Sequence, residues 1–85
     1  MKHAGQDALD RLEPLLDRIR ALEGLKEPRR GVFYLKSKAL LHFHEDPGGL
    51  FADIRAADGR DFDRLNVDDE AGRRTLMERV AKAKA

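Results

Sequence analysis

An 85-residue chain has room for one modest core, because a domain of this size buries only about 60–65% of the surface that its unfolded chain exposes. It has no cysteine, which excludes disulfide staples, thiolate metal sites and cysteine nucleophiles. Its 17 basic and 16 acidic residues nearly cancel, against the pattern of a dedicated nucleic-acid binder.

No apolar run spans a bilayer and the first residues lack a signal-peptide pattern, so a cytoplasmic protein that uses no membrane is expected. The charge is uneven along the chain. Residues 26–38 hold Lys26, Arg29, Arg30, Lys36 and Lys38 against Glu27, and residues 58–70 hold six acidic residues against Arg60 and Arg64. Such segments pair within the fold, pair between subunits, steer a charged partner, or stay solvated.

In chain order, the first predicted element is a helix. Leu9, Leu12, Leu16 and Ile19 recur at steps of three and four, and Leu15 and Leu22 widen the stripe. A proline inside a helix lacks a donor and clashes one turn back. Asp10 as N-cap with Glu13 closing a capping box would put Pro14 at the edge of the first turn, where the damage is small. Gly24 is then the expected stop, residues 1–8 fray or add a kinked turn, and residues 24–31 form a basic linker.

Beyond that linker the period changes from 3.6 to 2. Residues 32–36, 39–45 and 50–56 read as three strands. Asp46-Pro47-Gly48-Gly49 reads as a turn, with proline fixing φ at the first central position and glycine accepting φ > 0 at the next. A loop centred there sets Leu41 opposite Ile54, His42 opposite Asp53, Phe43 opposite Ala52 and His44 opposite Phe51. A slip of one residue would scramble the buried face. The earlier hairpin, with a three-residue loop Lys36-Ser37-Lys38, sets Phe33 opposite Leu41 and Tyr34 opposite Leu40. Residues 62–65 form a short fourth strand whose register the pattern leaves open. A closing helix follows, capped by Asp68, with Asp69 and Glu70 in its first turn, Lys82 and Lys84 in its last, and an apolar stripe of Leu76, Met77 and Val80.

Alternation assigns Phe33, Leu35, Leu41, Phe43, Ala52 and Ile54 to the core. Tyr34, Lys36, Leu40, His42, His44, Phe51, Asp53 and Arg55 fall on the other face. With both helices over the core face, the expectation is one two-layer α+β domain over residues 1–85. It is an antiparallel meander of three or four strands in the order α-β-β-β-(β)-α.

The leading helix, the hairpin Tyr34-Leu35-Lys36-Ser37-Lys38-Ala39-Leu40-Leu41, the further strands and the closing helix resemble small bacterial MmcQ/YjbR-type domains, which are grouped by fold with frataxin-like proteins. The resemblance spans roughly residues 30–83 and is one of plan. It implies a nucleic-acid-associated or ligand-binding role. Arg18 and Arg20 interrupt the acidic first helix typical of iron-handling frataxins, a departure that tells against an iron role.

Function is expected on the outer face. Residues two apart on a strand point the same way, so His42 and His44 project together, roughly 6.5–7 Å apart at Cα. With Asp53 opposite His42 they form a candidate ligand set for a divalent ion, His42, His44 and Asp53. The same pairing predicts a raised pKa for His42. Separately, Met1-Lys2-His3 has the amine, amides and third-position histidine that suit square-planar copper or nickel.

Tyr34, Phe51 and His44 offer rings for stacking, and Lys36, Lys38 and Arg55 offer positive charge, as on some RNA-binding sheets. Leu40 and Phe51, exposed together, would favour cover by another protein or a second copy. Ser37 and Thr75 lie in no nucleophile context, and Gly48-Gly49 belongs to a hairpin and not to a phosphate loop. The reading is a non-enzymatic, cofactor-free binding domain acting through Tyr34, Lys36, His42, His44, Phe51, Asp53 and Arg55 on a protein partner or itself. Nucleic acid, or a metal on His42, His44 and Asp53, is the alternative.

Overall fold

The computed structural model describes residues 2–85, so Met1 of Met1-Lys2-His3 lies outside it. Helix α1 (Gln6–Arg20) and helix α2 (Glu70–Lys84) pack on one face of an antiparallel sheet. The sheet comprises β1 (Lys2–His3), β2 (Leu25–Arg29), β3 (Val32–Leu35), β4 (Lys38–Asp46), β5 (Gly49–Arg55) and β6 (Phe62–Asn66). Its order is β2-β3-β4-β5-β6, with β1 also paired to β4. This is the expected α+β architecture with two strands more than the alternation indicated.

Helix α1 starts four residues before the expected cap. Gly5 is its N-cap, and the Gly5 carbonyl accepts from the Leu9 N–H at 2.9 Å. Pro14 therefore lies well inside the helix rather than at its first turn. It sits on the exposed side, where the carbonyl it cannot serve faces water. The opposite side buries Ala8, Leu9, Leu12, Leu15, Leu16 and Ile19. Each large aliphatic side chain so buried contributes roughly 1.5–3 kcal/mol, enough for the extended stripe to outweigh the proline. The helix stops at Arg20 rather than Gly24, and residues 6–8 belong to it.

The supposed basic linker is edge strand β2. Leu25 pairs with Leu35 and Lys26 with Tyr34, while Pro28 has no N–H to donate, which an edge strand tolerates. Its neighbouring charges pair with α1 and not with residues 58–70. Arg30 Nη2 lies 2.9 Å from Asp10 Oδ1 and 2.5 Å from Glu13 Oε2. Arg20 spans Glu27 with two bonds of 2.7 and 2.9 Å.

The β4–β5 register is the expected one at all four positions, Leu41↔Ile54, His42↔Asp53, Phe43↔Ala52 and His44↔Phe51. At its turn the positive φ falls on Gly49 (147°), not Gly48. The β3–β4 hairpin differs. Phe33 faces Leu41 as expected, but Tyr34 faces Ala39 and Leu35 faces Lys38. Leu40 is thus the extra residue of a bulge, and the local twist turns it inward with Leu41. At 4% exposure it belongs to the core and not to the outer face.

The connecting loop shortens to Lys36-Ser37, both left-handed with φ of 52° and 71°. A two-residue hairpin with both central residues at positive φ is a type I′ turn, which favours Asn-Gly. Lys36→Asn with Ser37→Gly is expected to stabilise the fold by about 0.5–1 kcal/mol, because two L-residues leave strained backbone. Urea unfolding measures it; a lower midpoint would mean the loop is not of this form.

Residues 62–66 are confirmed as strand β6, in the register Asp53↔Arg64 and Arg55↔Phe62. Helix α2 is capped one residue later than expected. Asp69 accepts from the Gly72 N–H at 2.9 Å, while Asp68 accepts from the Leu50 N–H at 3.0 Å and so ties the helix start to β5. Arg18–Glu70 (2.9 Å) joins the two helices, and Arg79–Asp63 (2.8 Å) joins α2 to β6. Among the described residues no helix is long and apolar enough to cross a membrane.

Candidate metal centre on the open sheet face

With both helices on one side, the other side of β4, β5 and β6 is covered only by its own side chains. Alternation sends His42 and His44 there from β4, Asp53 from β5, and Phe62 and Arg64 from β6. The short strand β1 adds one more. His3 pairs with His44, and the Ala4 N–H donates to the Phe43 carbonyl at 3.1 Å, so the third imidazole reaches the same patch. All three histidines of the chain meet here.

The rings pack closely. His3 stacks on His44 with centroids 4.6 Å apart, His42 meets His44 edge-on at 4.9 Å, and His3 lies 6.0 Å from His42. Phe62 closes the flank of His42 at 5.1 Å, with the Arg55 guanidinium 4.8 Å above its ring. One ring nitrogen from each histidine lies within 4.8 Å of the other two. A tetrahedral ion with Zn–N bonds of about 2.0–2.1 Å wants nitrogens about 3.3 Å apart, so modest side-chain rotations would bring the set to bonding distance.

Asp53 lies beside this set but is not one of its converging donors. It is 6% exposed, and Arg64 holds both its oxygens, Nε to Oδ1 at 2.7 Å and Nη2 to Oδ2 at 2.9 Å. That guanidinium, more than the nearby imidazoles, keeps the Asp53 carboxyl below its ordinary pKa. His44 Nδ1 approaches Asp53 Oδ2 to 3.1 Å, but the two are not aligned for a hydrogen bond. The Nδ1 atoms of His42 and His44 are both buried and meet no hydrogen-bond partner in the protein. Burial of this kind costs free energy unless a partner is supplied.

The pKa of His42 is therefore lowered, not raised. Burial of the ring outweighs the attraction of Asp53, whose charge Arg64 already balances. His44 is lowered for the same reason. Both rings favour the neutral form, the one that binds metal.

Of the remaining outer-face residues, Tyr34 and Lys36 lie away from this cluster, while Phe51 and Arg55 border it. Tyr34 and Lys36 line a shallow depression with Lys26, Glu27 and Ser37 near the β2 edge. Arg55 donates to the Ala39 carbonyl at 2.7 Å and the Gly59 carbonyl at 2.8 Å. Phe51 is half-buried opposite His44. The residues missed by alternation are His3, Phe62 and Arg64, the first because two residues make no period. The chain matches no protein-family model, no curated protein and no solved structure with which it was compared.

Proposed function

We propose that this domain binds one divalent transition-metal ion on His3, His42 and His44. The observation that carries the reading is the convergence of three imidazoles, two of which bury a ring nitrogen with no partner in the protein. Three neutral nitrogens without thiolate suit zinc, copper or nickel, whereas magnesium and calcium want oxygen. Asp53 and Arg64 lie beside the site as a neutral ion pair, the carboxylate next to the His44 ring.

For cover by another protein, Phe51 remains half-buried on this face, but Leu40 is in the core. For nucleic acid, Lys36 and Lys38 stay exposed, but they lie at the hairpin end of the sheet, and Arg55 is held by two carbonyls.

Calorimetry with zinc, read beside side-chain NMR, tests the proposal. One ion per chain and shifts confined to the three imidazoles and their neighbours are expected, with no response to magnesium. Absence of saturable zinc binding at neutral pH would overturn it.

A further inference from the structure

We infer that the metal-loaded triad keeps one coordination position open and that this position takes a small anionic ligand, such as a carboxylate or azide. The inference rests on the three-histidine reading and adds what the ion would do once held. A zinc-like ion takes four donors, and the converging set among the described residues supplies three. The nearest further donor is Asp53. Its two oxygens are both engaged by Arg64, and it is nearly excluded from solvent. To become the fourth ligand it would have to give up a bidentate, charge-assisted pair, the stronger class of hydrogen bond.

Charge makes the vacant position selective for an anion. Three neutral imidazoles leave the full charge of a divalent ion uncompensated, and the adjacent Asp53–Arg64 pair sums to zero. Arg55, seated above Phe62 on the same face, adds further positive potential. His3 is exposed whereas His42 and His44 are half-buried, and Phe62 shields His42, so a ligand enters past His3. No bond of the protein is made or broken; the anion displaces solvent from the ion.

Cobalt(II) substitution of the full chain reads this directly, because its visible spectrum reports coordination number and donor exchange. Azide is added to the cobalt-loaded protein, with perchlorate at the same ionic strength as the non-coordinating comparison. A saturable spectral shift with azide and none with perchlorate is expected. Cobalt that binds one per chain but ignores azide overturns the open position and leaves the three-histidine site standing. An Asp53→Asn protein whose azide-free cobalt spectrum already differs in coordination number would show that the carboxylate fills the fourth position, and also overturns it. Failure to bind cobalt or zinc at all removes the underlying site itself.

Discussion

Gly72→Ala lowers the stability of this domain by about 2–3 kcal/mol, near the upper end of what overpacking costs. At an 85-residue length this is a fall of about 10–20 °C in Tm, taking 4–8 °C per kcal/mol. Gly72 lies in the first turn of α2, where its N–H meets the Asp69 cap and its α-carbon abuts the Asn66 backbone carbonyl at the end of β6. A methyl group there would overlap that carbonyl oxygen far inside van der Waals contact. The neighbour is backbone, and the Asn66 side chain is tied to Asp68 by two bonds of 2.9 and 3.0 Å, so neither side yields easily.

Alanine's helix propensity works the other way, by about 1 kcal/mol. The sign of the result therefore decides whether the close approach is real. Gly59→Ala is the comparison, since that glycine has φ of 75° and open space around it. It should lose only about 1–2 kcal/mol of backbone conformational energy. Thermal unfolding of the two variants side by side gives the answer. A Gly72→Ala protein as stable as the parent would refute the strand-to-helix packing described above.

The second large effect concerns the histidines. His44 is the hub of the triad, within 4.6 Å of the His3 ring and 4.9 Å of the His42 ring. His44→Ala is expected to weaken zinc binding more than about 100-fold, beyond the 10–100-fold typical of an outer partner. Asp53→Asn should fall within that smaller range. Equal losses from the two variants in competition titrations would make Asp53 a ligand and displace His3.

Affinity should decline with acidification, because protons compete for the ring nitrogens. Since His42 and His44 are held below the ordinary imidazole pKa by burial, the decline sets in at lower pH than for an exposed triad. The metal-free fold carries the matching signature. In the unfolded chain these two rings take up protons near pH 6.5, before they do so in the folded chain. The stability present above about pH 6.5 is therefore lost as pH falls through the lowered values. Urea midpoints across that range should drop accordingly in the parent and drop less in His42→Gln.

What could be read from the residues was whatever repeats locally. The β4–β5 register followed from a Pro-Gly turn and two alternating runs, and the apolar stripe of α1 from its leucine spacing. The parts that stayed hidden depend on distant partners. Strand β2, Leu25-Lys26-Glu27-Pro28-Arg29, resembles a linker because an edge strand facing water has little apolar pattern to show. The bulge at Leu40 breaks alternation from within, and no rule of period two anticipates it. Strand β1 is two residues long, too short for any periodicity to tie His3 to the sheet. A clue was present nonetheless: the chain has three histidines, two of them on one strand face.

Beside the β1–β4 pairing, the Gly5 N–H donates to the Glu45 carboxylate across a sequence separation of 40. An ion bridging His3 to His42 and His44 would act as a removable cross-link on a long loop, much as a covalent staple does. Unlike the staple, it would hold only in the folded chain, because in the unfolded one the three imidazoles are not held together. Metal supply would then set how much of the chain is folded, through mass action alone.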